Sequence, residues 1–214
     1  MAKPCLHLLN EIYRKWDWMI ICSRRKDLAQ DHPGEGERMW YVMQVISGQE
    51  NRTVFLVEKM ISKGILESCF VPVRRLRKKY HGAWHEVTEK LFPGYVFMIS
   101  KQPQLLYEEL KRIPALTRLL GRCGEYVAPL PEKDVRMMEK LQNRMVDGGA
   151  LEVGISRIAV EEGSQIRILS GPLKDLEGQI RKVNLHKRIA EVEMEFMGSR
   201  SVVYLGVEMV ERIR

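Results

Sequence analysis

Residues 40–51 read WYVMQVISGQEN. The first seven are β-branched, aromatic or otherwise apolar apart from Gln44, they have strand length, and the run stops at the turn pair Ser47-Gly48. Ser47, Gly48, Gln49 and Glu50 have the form of a capping box, in which the Ser47 hydroxyl accepts from the Glu50 amide and the Glu50 carboxylate reaches back. Val54, Val57 and Ile61 follow at helical spacing, and Gly64 ends the pattern. The first unit is therefore strand, tight turn, helix.

Outward from this unit, SCFVPVRRLRKKY (68–80) and AWHEVTEKLF (83–92) predict two strands joined at His81-Gly82, and PGYVFMIS (93–100) predicts a short buried strand. PQLLYEELKRIP (103–114) is a short helix ended by Pro114, and TRLLG (117–121) a brief strand. PEKDVRMMEKLQNRM (131–145) has proline at its start, acids in its first turn, and Val135, Met138, Leu141 and Met145 on one face. A small α+β sandwich over residues 39–146 accounts for all of these.

Asp147-Gly148-Gly149 opens a weakly patterned stretch, and 147–161 reads as a linker. From 162 to 214, short runs alternate apolar and polar residues between breaks at Gly171-Pro172, Gly178, His186-Lys187 and Gly198-Ser199. Period two with frequent turns predicts a small all-β barrel that stays β in the free protein. Residues 1–38 mix aromatics and charges and end in DHPGEGER, a stretch that continues neither helix nor strand; they read as an extension, disordered or not native, outside the folded unit.

The chain has 214 residues and a formal net charge of +7. A net +7 falls within residues 39–146 alone, the 147–161 stretch is net negative, and the C-terminal part is near neutral. The excess is densest in RRLRKKYHGAWH (74–85). On an extended ribbon Arg75, Arg77 and Lys79 project from one face and Arg74 and Lys78 from the other, with Tyr80, His81 and Trp84 at the turn. Cations interleaved with stackable rings point to a nucleic-acid partner, preferentially structured RNA; the plainer reading is an edge kept soluble by charge. Near-neutral charge makes the barrel an unsuitable main nucleic-acid grip.

Cys5, Cys22, Cys69 and Cys123 form no C-x-x-C pair, so neither a zinc site nor a disulfide framework is expected, and reduced thiols fit a cytoplasmic protein. No cofactor is implied. WDWMIICS is too short for a membrane span and lacks a signal-peptide form. His81, His85, Glu86 and Cys123 have no nucleophile elbow, phosphate loop or paired acid around them, so no enzyme is expected.

WYVMQVISGQEN and EKLFPGYVFMIS together resemble the N-terminal domain of the NusG family of transcription elongation factors, and GSQIRILSGPLKDLEGQI resembles a KOW motif. The order and spacing match over residues 39–214, and the basic hairpin is most similar to specialised members, the LoaP antiterminators first and RfaH next. The extension before Met39 departs from the pattern. The resemblance implies an N-terminal α/β sandwich followed by a KOW β-barrel, in a monomer. It also implies docking of the first domain on the clamp helices of bacterial RNA polymerase, with suppression of pausing or termination.

In such proteins the docking concavity includes the aromatics of FPGY, here Phe92 and Tyr95, with Trp40 nearby. Trp40 alternates with Val42 and reads as core before contact, while Phe92, ahead of the Pro-Gly break, reads evenly as either. The turn shaped by Gly171, Pro172 and Gly178 is implied to present a surface to a ribosomal protein or Rho, although these residues suit backbone geometry alone. The hairpin would meet an RNA hairpin or the non-template DNA strand. A ribosome-associated KOW RNA-binding protein is the alternative.

Overall fold

The structure is a computed structural model that describes residues 37–113, 117–119, 122–123, 126–127, 129–142, 144–146, 150–161 and 165–212. The extension 1–38 thus lies, apart from its last two residues, outside the described residues.

Strand β1 (Met39–Val45) forms where WYVMQV predicts it, and lies inside a four-stranded antiparallel sheet of order β2-β5-β1-β6. The other strands are β2 (Leu66–Phe70), β5 (Tyr95–Ser100) and β6 (Thr117–Leu119). Side chains alternate across this sheet. Tyr41, Met43, Val45, Val96 and Met98 share one core with Val57 and Ile61 of the α1 (Glu50–Met60) region and Leu106 and Leu110 of α2 (Pro103–Leu110). Val42, Phe70, Phe97 and Ile99 belong to a second core on the opposite side, with Met138 and Leu141 of α3 (Glu132–Leu141). Both faces are covered, which explains why the strands read as continuous apolar runs.

A second sheet has the order β4-β3-β10-β9, from β3 (Val73–Tyr80), β4 (Ala83–Lys90), β9 (Arg144–Val146) and β10 (Ala150–Val153). A two-stranded pair joins β7 (Arg122–Cys123) and β8 (Tyr126–Val127). The C-terminal part is all-β, a half-barrel of order β12-β11-β15-β14-β13. Its strands are β11 (Ser156–Val160), β12 (Ile166–Ser170), β13 (Ile180–Asn184), β14 (Ile189–Phe196) and β15 (Ser199–Arg212), with 3-10 turns at Pro172–Asp175 and Glu177–Gln179.

Four local expectations are corrected. Residues 150–153 and 156–160 are strands, so the 147–161 stretch is not a plain linker: β10 pairs with β3 and β9, and β11 pairs with β12 and β15. Leu151, Val153, Ile158, Ala159 and Val160 are all buried, and their alternation is hidden by the break at Gly154-Ile155. The run 68–80 is two strands, because proline at 72 supplies no N–H for a ladder. The N-cap of α1 is Gln49, and no side chain caps the helix; the Glu50 carboxylate does reach back, to the Gly48 amide. Met145 lies on β9, beyond the end of α3.

The second core is continuous from the first domain into the half-barrel: Val42, Phe70 and Phe97 share it with Val192, Met194, Phe196, Leu205 and Val207. At its rim the Met197 N–H donates to the Asp134 carboxylate at 3.1 Å and Lys133 pairs with Glu195 at 2.7 Å. Burial pushes the Asp134 carboxyl up from its ordinary value, and the Met197 bond offsets this only in part.

Candidate functional site: an aromatic patch and a basic hairpin

The turn Phe92-Pro93-Gly94-Tyr95 is built around one buried carboxylate. Glu50 is fully buried and accepts from the Lys90 ammonium at 2.6 Å and from the amides of Gly94 and Gly48 at 2.7 Å each. Burial raises its pKa, but the Lys90 bond and the amide N–H groups outweigh that and hold the carboxyl below its ordinary value. Gly94 has φ +85, a left-handed conformation that favours glycine, and its carbonyl accepts from Val45 at 2.8 Å. The Tyr95 amide closes the turn on the Phe92 carbonyl at 3.3 Å. One acid thus ties the end of β1, the start of α1, the end of β4 and the aromatic turn together.

Trp40 stands edge-on to Phe70, with centroids 5.5 Å apart and planes at 87°, and also meets Phe97 at 6.4 Å. Phe92 lies 6.2 Å from the same Phe97. Trp40, Phe92 and Tyr95 are half-buried and pack against the second core, and two of these three aromatics singled out from the sequence, Trp40 and Phe92, meet at Phe97. The half-barrel covers Phe92: Phe196 stacks on it with centroids 4.6 Å apart and planes at 13°. Such an aromatic pair contributes about 0.5–1.5 kcal/mol beyond its buried area.

β3 and β4 pair in register from Val73↔Lys90 to Tyr80↔Ala83, closed by the two-residue loop His81-Gly82. Both loop residues have positive φ, +47 and +84, as a type I′ hairpin turn requires. The expected rows of free cations are corrected here. Arg74 reaches Glu89 at 3.2 Å and the Tyr204 carbonyl at 2.8 Å; Lys78 also pairs with Glu89. Arg75 pairs with Glu86 at 2.9 Å and with Glu152, and Arg77 with Glu208 at 2.9 Å. The carboxylates come from β4, β10 and β15, elements that the run RRLRKK does not reveal. The Lys78 ammonium lowers the Glu89 pKa, against a smaller effect of burial.

The tip differs. Among the described residues Lys79 takes part in no salt bridge, and it is exposed, as are Tyr80 and His81. Tyr80 lies 5.9 Å from His85, and the Arg188 guanidinium sits 4.0 Å over the ring of Trp84. In the half-barrel Gly171 has φ +95, and a Cβ there would come within 2.7 Å of Ser156 Cα. Ser156 Oγ accepts from Leu173 at 3.0 Å, and Pro172 is buried, so both residues of this pair serve internal packing. Gly178 is exposed, with open space around it.

Sequence reasoning missed Glu50 as the organiser of the aromatic turn, Phe196 as its cover, and Glu208 and Arg188 as partners of the hairpin. For Glu50 a signal existed, because the capping-box pattern already made its carboxylate reach backward. The others sit in the period-two pattern of the half-barrel, which fixes a face and leaves the neighbour across it open.

Among the described residues no group of three or more His, Cys, Asp or Glu side chains is placed to hold a metal ion. No described helix is long and apolar enough to cross a membrane. A family model described as transcription termination factor NusG matches residues 38–139, the span that holds the aromatic turn and the hairpin. The transcription termination/antitermination protein NusG of Thermus thermophilus is 27% identical over 181 residues, 80% of this chain and 96% of that protein. The protein of the same description from Escherichia coli K12 is 24% identical, over 82% of this chain and 97% of its own.

Over residues 38–139 the chain is similar to the NusG family.

A solved structure of Thermotoga maritima NusG, titled for its domain interaction, is also similar at 22% identity and a TM-score of 0.48, with 81% of this chain and 96% of that one covered. Trp40, Phe92, Tyr95 and the whole basic hairpin lie inside the matched NusG span, and Phe196 lies outside it.

Proposed function

We propose that this chain is a transcription elongation and antitermination factor of the NusG family that docks on the clamp helices of bacterial RNA polymerase through Trp40, Phe92 and Tyr95. The relatives are named as termination/antitermination proteins, which agrees with this class. The observation that carries the reading is the convergence of half-buried Trp40 and Phe92 on one rigid patch around Phe97, with the FPGY turn held by Glu50. A desolvated aromatic cluster is the kind of anchor that dominates protein interfaces. Because Phe196 covers Phe92, docking on this patch requires the half-barrel to move off it.

The hairpin tip, with Lys79, Tyr80, His81 and Trp84, supplies the contact to an RNA hairpin or the non-template DNA strand that recruits the factor, a contact the hairpin makes by itself once the half-barrel has moved off. Single-round transcription by purified bacterial polymerase through a terminator tests the reading. The wild-type protein is expected to raise read-through, and a Phe92→Ala/Tyr95→Ala variant that melts like wild type is expected not to. Equal read-through by both proteins would remove the patch from the mechanism.

A further inference from the structure

Between the hairpin tip and the half-barrel lies a cleft of about 380 Å³, lined by Lys79 and Trp84 on one side and by Leu185, His186 and Arg188 on the other, with Val207 and Met209 among the apolar residues of its lining. The barrel side is the turn Leu185–Arg188 between β13 and β14. This turn is fixed: the Arg188 carbonyl accepts from Val207 at 2.9 Å, the Lys187 amide donates to Asn184 at 2.9 Å, and Arg188 has φ +55. Its guanidinium is thereby held 4.0 Å over the indole of Trp84. No carboxylate lines the cleft, and among the described residues Lys79, Lys187 and Arg188 form no salt bridge. In the neighbouring cavity, lined by Arg75, Arg77, Glu86, Glu152 and Glu208, both cations are paired with acids, Arg75 with two of them. The uncompensated positive charge of this face is therefore at the tip, and two of its three cations, Lys187 and Arg188, come from the second domain.

We propose that this cleft is a composite binding site for single-stranded nucleic acid, in which an unstacked base enters against Trp84 and Arg188 while Lys79 and Lys187 take the flanking phosphates. The proposal deepens the nucleic-acid part of the function above and rests on it. Unpaired bases stack on aromatic rings and on guanidinium planes, and the cleft offers both at one place with an apolar lining. A volume of this order is that of an ordinary small-ligand pocket, too small for a duplex. The half-barrel, near neutral as a whole, becomes part of the grip through one turn.

The test is titration of the full chain at low salt with a short mixed-sequence single-stranded RNA, the same sequence in DNA, and the RNA duplex. The readouts are affinity and tryptophan emission. Wild type is expected to prefer either single strand over the duplex, with emission quenched on binding, and Trp84→Phe to lose that quench. Lys187→Glu with Arg188→Asn is expected to weaken single-strand binding by about tenfold or more. It should also flatten the dependence of log affinity on log salt by roughly one unit, at about 0.7 per phosphate contact. Asparagine tolerates the positive φ at 188, so this variant keeps the turn. Single-strand binding by wild type with unchanged affinity in the double variant would overturn the composite site and leave the hairpin reading standing. No binding of any probe by wild type would overturn both. Displacement of the strand by a polyglutamate peptide of equal charge, with the same quench, would show an acidic-peptide site instead.

Discussion

Glu50 is the residue on which the candidate site depends most. Its carboxylate is buried and its pKa is depressed in the folded protein, so the stability it contributes is present above the ordinary carboxyl range and is lost as pH falls through the depressed value. Asp134 has the opposite sign: its raised folded-state pKa favours folding at low pH and that gain is lost as pH rises through the raised value. Glu50→Gln removes the charge from three short bonds and is expected to cost about 1–3 kcal/mol at neutral pH. In urea unfolding at a series of pH values, the gap between wild type and this variant should narrow on acidification; a gap that ignores pH would show that the carboxylate charge is not what holds the turn. Part of this residue was legible in the sequence, since the capping-box spacing already directed its carboxylate backward. Its distant partners, Lys90 and Gly94, follow from tertiary placement of β4 and the FPGY turn, which no local pattern encodes.

At the scale of elements, strands and helices followed from apolar periodicity wherever the pattern was unbroken, as in β1, β5, α2, α3 and β14. Errors fell at punctuation. Pro72 divides one apparent strand between two sheets, and Gly154-Ile155 makes two buried strands look like a linker. The basic hairpin was legible as a hairpin and misleading as a surface, because the acids that neutralise Arg75 and Arg77 lie on β4, β10 and β15. The contact between β15 and β3 is close: a Cβ at Gly206 would come within 2.4 Å of the Arg75 carbonyl oxygen. Gly206→Ala is therefore expected to push the half-barrel off the hairpin, at a cost of about 1–3 kcal/mol to the contact. Limited proteolysis at the Gly154-Ile155 junction should accelerate in this variant; an unchanged cleavage rate would mean that the strands accommodate the methyl group in place.

At the scale of the whole molecule, one domain has two uses. The half-barrel covers Phe92 with Phe196, and with His186 and Arg188 it completes the cleft at the hairpin tip. A strand bound in that cleft touches both domains, so by linkage it favours the docked arrangement and opposes any partner that needs Phe92 exposed. Saturating single-stranded RNA should accordingly raise the polymerase concentration needed for half-maximal binding, and an unaltered midpoint would argue that the two sites are independent. The sequence carried none of this coupling, because Phe196 is one more inward residue of a period-two strand until its neighbour across the interface is seen.

The central claim, that the patch around Phe92 is the polymerase-docking surface, is tested most directly by titrating RNA polymerase core enzyme against the labelled full chain in three forms: wild type, Phe196→Ala and Phe92→Ala. Removing the covering ring should tighten binding, and removing Phe92 should weaken it by roughly 1–2 kcal/mol. Equal affinity of all three correctly folded proteins would contradict the account.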